Sequence, residues 1–134
     1  MLKTILCVDD DPITLMLFKM VISKASFSNE IVTAKNGQEA LNFFDTLKTT
    51  ITTKPQLIFL DLNMPVMDGW EFLEGFNSLE FSDFHNTKVI ILSSTIDPAD
   101  LEKSKKYPMV IDFLSKPISK EMLEYLKDKI KLNS

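Results

Sequence analysis

Short, almost purely apolar runs alternate with longer amphipathic stretches along the chain, and this alternation limits the fold more than any other feature. The runs are Thr4–Val8, Glu30–Ala34, Gln56–Leu60, Lys88–Leu92 and Met109–Leu114. Three of them are nearly uniform in Ile, Val, Leu and Phe, as strands covered on both faces must be. The Glu30 run is more polar, which suits an edge. Apolar strands alternating with helical stretches describe βαβ units around a parallel sheet. The predicted fold class is α/β, a (βα)5 doubly wound five-stranded parallel sheet.

The helices are marked by their starts. Asp11-Pro12 supplies an N-cap and a proline at the first helical position, leading into Ile13–Ala25. Asn36-Gly37 opens a second helix with Ala40, Leu41, Phe44 and Leu47 on one face. Asp68 followed three residues later by Glu71 resembles a capping box at the start of a third. Asp97-Pro98 with Asp100 starts a short fourth. Ser119 starts a fifth that turns Met122, Leu123, Leu126 and Ile130 inward and carries Lys127, Lys129 and Lys131 at its end, where cations suit the helix dipole. The stretch Glu74–Lys88 is long for the end of a helix and its loop, and its bend has no marker. No internal repeat or linker appears, so residues 1–134 are expected to form one domain with no output domain attached.

Composition narrows the function. The formal net charge is -4, and all fifteen cations are lysine. An acidic chain without arginine argues against direct nucleic-acid binding and offers no bidentate guanidinium clamp for phosphate. A single cysteine excludes an internal disulfide framework. The apolar run before Asp9 is too short for a signal peptide, and no stretch is long enough to insert in a membrane. The expected location is cytoplasmic.

The informative residues stand where the strands end. Asp9, Asp10 and Asp11 follow the first run, and Asp61, Asn63, Pro65, Asp68 and Gly69 follow the third. Ser93, Ser94 and Thr95 follow the fourth, and Lys116-Pro117 the fifth. Ligands of open α/β sheets bind outside the carboxyl ends of the strands, at the point where the strand order reverses. With the commonest order for five units, 2-1-3-4-5, that point lies between strands 1 and 3. Those are the strands that deliver the carboxylates. Converging carboxylates repel unless a cation intervenes, and an oxygen-only donor set suits Mg²⁺. Ser93 and Lys116 then serve the oxygens of a phosphoryl group, whose transfer is chiefly positioning and charge neutralisation. Asp61 stands alone at its strand end and is the candidate nucleophile, while Asp9 and Asp10 form the pair suited to metal.

Val8-Asp9-Asp10-Asp11-Pro12, Leu60-Asp61-Leu62-Asn63-Met64-Pro65-Val66-Met67-Asp68-Gly69, Ile91-Leu92-Ser93-Ser94 and Leu114-Ser115-Lys116-Pro117 together resemble the receiver domain of two-component response regulators. The likeness spans essentially the whole chain, and it implies a flavodoxin-like fold and a phosphorelay signalling role with no enzymatic turnover of a separate substrate. It also implies that Asp61 accepts a phosphoryl group from a sensor histidine kinase or histidine phosphotransfer protein. Mg²⁺ would be held by Asp10, Asp61 and the backbone carbonyl of Asn63, with Asp9 assisting through water. Ser93 would be the switch hydroxyl, Lys116 the phosphate-contacting lysine, and Phe113 the switch aromatic, standing where many relatives carry tyrosine. Asn63 and Thr95 would tune the lifetime of the acyl phosphate. The surface formed by helix 4, strand 5 and helix 5 would change on phosphorylation, meeting a downstream protein or forming a phosphorylation-dependent dimer. The Met67–Leu73 segment resembles that of stand-alone, chemotaxis-type receivers.

Several residues have plainer readings. Asp11 and Asp68 are expected to be N-caps, Cys7 a buried small hydrophobe, and Trp70 packing. His85 is expected in a solvated loop, and Lys103, Lys105 and Lys106 on a solvated face. The competing function is a small Mg²⁺-dependent phosphohydrolase of the haloacid-dehalogenase type, with Asp9 and Asp11 as its acidic pair.

Overall fold

A computed structural model describes residues 1–50 and 53–133, with side chains described as far as residue 130. The elements run β1 (Leu2–Val8), α1 (Pro12–Lys24), β2 (Ser28–Ala34), α2 (Gly37–Leu47), β3 (Leu57–Leu60) and α3 (Gly69–Phe76). They continue through a 3₁₀ helix (Leu79–Phe84), β4 (Lys88–Ser93), α4 (Pro98–Ser104), β5 (Val110–Ser115) and α5 (Lys120–Asn133). All strand pairs are parallel and the order is β2-β1-β3-β4-β5. Fold class and strand order are those expected, and the polar second strand does lie at an edge. β1 and β2 begin two residues earlier than their apolar runs, at Leu2 and Ser28, because the backbone ladder continues into polar sequence. Gln56 and Met109 fall just outside β3 and β5.

Side chains alternate across the sheet, so each strand feeds two cores. Leu6, Val8, Ile58, Leu60, Val89 and Ile91 meet α2, α3 and the 3₁₀ helix on one face. There Phe44, Phe76 and Phe84 pack with ring centroids 4.8–5.0 Å apart. Ile5, Cys7, Phe59 and Ile90 meet α1 and α5 on the other face, against Phe18, Ile22, Leu123 and Leu126. Cys7 is buried, and burial above all raises its thiol pKa, so it behaves as the expected small hydrophobe.

The caps form as the sequence predicts. The Asp11, Asn36, Asp68 and Asp97 side chains accept from the backbone N–H groups of Ile13, Glu39, Glu71 and Ala99. Glu71 returns the bond to the Asp68 N–H, closing a capping box. Ser119 Oγ accepts from Met122 N–H at the start of α5. The Lys131 side chain, expected in the last turn of α5, lies outside the described residues.

One side-chain expectation changes, and others gain detail. The unmarked bend is the 3₁₀ helix, and His85 at its end is half-buried: its Nε2 lies 2.8 Å from the Phe76 carbonyl oxygen, tying the turn to α3. Lys103 is exposed, as expected, and its Nζ also stands 4.7 Å from the Trp70 ring centroid. Trp70 in turn stacks on Tyr107 at 6.2 Å, and the Tyr107 hydroxyl donates to Glu74. Trp70 is packing, as expected, and it also links α3 to α4. Helix α1 exposes Ile13, Met16, Leu17 and Met20 at i, i+3, i+4 and i+7, while Phe18 and Ile22 are buried. This helix is apolar on both faces.

Candidate functional site

The strand register brings the acids together. Val8 pairs with Leu60, so β1 and β3 end level with one another, while Leu60 pairs with Ile91 and β4 runs two residues further to Ser93. Asp9 donates its N–H to the Ala34 carbonyl and Asp61 donates its own to Val8, which fixes both residues one step beyond the paired strands. Asp9, Asp10 and Asp61 each offer a carboxylate oxygen, and these atoms all lie within 4.8 Å of one another. Asp9 and Asp61 are buried and Asp10 is exposed. Asp9 Oδ1 accepts the Asp11 N–H, leaving Oδ2 for Lys116.

Lys116 comes from the far end of the chain. Its backbone N–H donates to the Ser93 carbonyl at 2.7 Å, locking the end of β5 to the end of β4. The following bond to Pro117 is cis. The ammonium reaches Asp9 Oδ2 at 2.7 Å and Asp61 Oδ1 at 3.4 Å. Ser93 is buried, and its Oγ accepts the Thr95 N–H at 3.4 Å. Thr95 itself is exposed. Asn63 lies in the exposed loop after β3, and its backbone bonds the Asp61 carboxylate. Phe113 is half-buried on β5 and packs against the core beneath α2 and α3.

Two close contacts hold the loop that carries Asn63. Gly69 N–H donates to the Leu62 carbonyl, and Gly37 N–H donates to the Met67 carbonyl, both at 2.9 Å. Within this loop Val66 has φ 70°, a left-handed conformation unusual for a β-branched residue. A cleft of about 80 Å³ opens among Asp9, Asp61, Lys116, Thr14, Leu17 and Ile118.

Burial raises the Asp61 carboxyl above its ordinary pKa, and the Asp9 charge adds to this; Lys116 and the Asn63 backbone act the other way. Burial pulls the Lys116 ammonium down, but its hydrogen bond to Asp9 and the charges of both acids outweigh that and hold it above its usual value. Three carboxylates face one ammonium, so a divalent cation matches the remainder. Hard oxygen donors without His or Cys fit Mg²⁺.

Residues 5–127 match the model of the response regulator receiver domain. The chain belongs to this family. The receiver resembles the structure of a two-component response regulator from Cytophaga hutchinsonii, with TM-score 0.88 and 31% identity over 99% of this chain and 98% of that one. It is 32% identical over 121 residues to a sensor histidine kinase of Pseudomonas protegens, covering 89% of this chain and 12% of the kinase. It is 30% identical over 128 residues to a response regulatory protein of Staphylococcus epidermidis, covering 96% of this chain and 46% of the relative. The chain thus spans less than half the length of these two curated relatives. Receivers are signalling domains of two-component systems, and the family works with histidine kinases. Among the described residues, no helix is long and apolar enough to cross a membrane.

The phosphohydrolase alternative loses ground in this geometry. Asp11, which it needs as a second acid, is exposed and spends both oxygens locally. Oδ1 accepts from Ile13 and Oδ2 from the Thr14 hydroxyl, and these bonds lower its pKa as an N-cap's should. The partners that sequence reasoning missed, Tyr107 with Glu74 and Asp112 with Tyr125 and Lys129, carry no motif because each joins distant segments.

Proposed function

We propose that Asp61 of this receiver accepts a phosphoryl group from a phosphohistidine on a sensor histidine kinase or histidine phosphotransfer protein. The observation that carries the reading is the Lys116 ammonium, which reaches from the end of β5, past β4, to bridge Asp9 and Asp61 at the ends of the adjacent strands β1 and β3. An Asp61 oxygen forms the new P–O bond. The donor's P–N bond breaks, its electron pair goes to the imidazole nitrogen, and that nitrogen takes up a proton from solvent. Lys116 is placed to move from carboxylate to phosphoryl oxygen, and the Ser93 hydroxyl supplies a further hydrogen bond. Asp9, Asp10, Asp61 and the Asn63 carbonyl would hold Mg²⁺, Asp9 through water. When bound, the ion offsets the charge that gathers on carboxylates and phosphoryl oxygens.

The phosphoryl group carries about −1.5 to −2 of charge where the Asp61 carboxylate carried one. Drawing Ser93 toward it pulls the end of β4, and through the Lys116–Ser93 backbone bond the end of β5 as well. Phe113 then turns inward and the α4–β5–α5 surface changes for a downstream protein or a second receiver. This is a two-state element biased by a local charge. With a small phosphodonor, the chain is expected to gain the mass of one phosphoryl group only when Mg²⁺ is present. Asp10→Asn should raise the Mg²⁺ concentration needed for half-maximal labelling by about tenfold or more. Labelling unaffected by chelator would refute the metal assignment.

The exposed face of α1 supports a protein donor. Leu17 belongs both to this apolar stripe and to the cleft beside Asp61. Exposed apolar stripes of this kind mark interaction surfaces. Met16→Glu and Met20→Glu, on the same stripe but outside the cleft, are expected to slow transfer from the cognate phosphohistidine protein at least about tenfold while leaving small-donor labelling unchanged, since each charge removes apolar contact worth over about 1.4 kcal/mol. Equal loss with both donors would place the defect in the site instead.

A further inference from the structure

Among the described residues β5 is an edge strand of the sheet, and the outward backbone groups of an edge strand are a template for another strand. Lys116 directs its N–H inward to Ser93. Alternation along a strand therefore points the Phe113 N–H outward, to the open side. That donor is taken by the side chain of the preceding residue: Asp112 Oδ1 accepts it at 2.8 Å. The other oxygen, Oδ2, accepts the Tyr125 hydroxyl at 2.5 Å and the Lys129 ammonium at 3.1 Å. Lys129 also donates to the Tyr125 hydroxyl. The Asp112 carboxylate is largely buried, with 16% of its side chain exposed, so the cluster is built into the fold. One acid thus blocks the edge and ties α5 across it.

We propose that Asp112, Tyr125 and Lys129 form an autoinhibitory guard over β5, and that opening it lets a second copy of this chain add its own β5 edge to edge. The occupant follows from charge and symmetry. An antiparallel β5 pair keeps the same sheet face up in both copies, so the two α4 helices lie side by side and antiparallel. Helix α4 is acidic about its start, with Asp97 as its cap and Asp100 and Glu102 within it, and basic just past its end, with Lys105, which pairs with Glu102 at 2.8 Å, and Lys106. A second α4 in reverse orientation therefore sets acids against lysines along the contact. The guard involves neither Asp61 nor metal, so its success or failure is independent of the phosphoryl reading.

Sedimentation velocity on the full chain over a concentration series, without phosphodonor, tests this. Wild type is expected to remain monomeric where Asp112→Ala, Lys129→Gln and Tyr125→Phe form dimers, with self-association tightened about tenfold or more for Asp112→Ala. Lys129→Gln and Tyr125→Phe alter only the outer part of the cluster and guard against a folding defect in Asp112→Ala. Amide exchange provides the local readout. The Phe113 N–H should lose protection in dilute Asp112→Ala and recover it as dimers form. Adding Lys105→Glu and Lys106→Glu to Asp112→Ala should return it to monomer. Folded variants that stay monomeric throughout, a Phe113 amide still protected in the dilute variant, or a dimer indifferent to the α4 charges would each overturn the proposal.

Discussion

Asp61→Asn is expected to abolish labelling by any phosphodonor, protein or small molecule, with Mg²⁺ at saturation. The amide retains the shape of the side chain but has no anionic oxygen to form an acyl phosphate, so the loss is to background. The wild-type product should be sensitive to hydroxylamine, as an acyl phosphate is, and intact-mass measurement on both proteins checks the result. Undiminished labelling of Asp61→Asn would move the acceptor elsewhere. The same variant should be the more stable protein in metal-free buffer at neutral pH. Burial and the Asp9 charge raise the Asp61 pKa in the folded chain. The native state therefore holds its proton to higher pH than the unfolded chain, and stability falls as pH rises through that interval. Above it, wild type carries the whole penalty and Asp61→Asn none. Urea unfolding across the acidic range should show the two proteins converging as pH falls. Reactivity and strain at this site thus have one origin, a carboxylate placed against charge in a dry position.

What could be read from the sequence was whatever depends on near neighbours. The change from Leu60 to Asp61, or from Val8 to Asp9, marks a strand end because an apolar run in a covered sheet stops where side chains meet water. N-caps are equally local, and Asp11, Asn36, Asp68 and Asp97 all cap as expected. Convergence of Asp9, Asp10, Asp61 and Lys116 then followed from topology, since a parallel sheet puts all its strand ends on one side. Contacts that join distant segments left no trace. His85 looked solvated because its neighbours in sequence are polar, whereas its partner is the Phe76 carbonyl nine residues back. Asp112 reads as an ordinary polar residue in a strand until β5 is known to be an edge and α5 to cross it. The apolar outer face of α1 was hidden for a related reason. A helix uniformly rich in Ile, Leu and Met gives no moment from which to tell the covered side from the bare one.

Gly69→Ala is expected to cost about 3 kcal/mol or more of stability, beyond the usual range for one added methyl group in a packed region. The position tolerates no side chain. A Cβ there would stand 2.5 Å from the Asp61 carbonyl oxygen and 2.9 Å from Leu62 Cα, both backbone atoms that cannot swing aside. Relief requires the start of α3 to lift from the end of β3. That motion would stretch the Gly69–Leu62 hydrogen bond closing the loop, and with it displace Asn63 and the backbone that orients Asp61. The same substitution at Gly75 meets only the Leu41 methyl groups, at 3.1 and 3.8 Å, and serves as the control. Gly75 is inside α3, where alanine is also the better helix former, so Gly75→Ala should be near neutral. Urea midpoints of the two variants should therefore separate widely. In conditions where Gly69→Ala remains folded, its labelling rate should still fall, because displacement of the loop acts on the site directly. A Gly69→Ala protein with wild-type stability and labelling would show that the α3 start does not hold Asp61 in place.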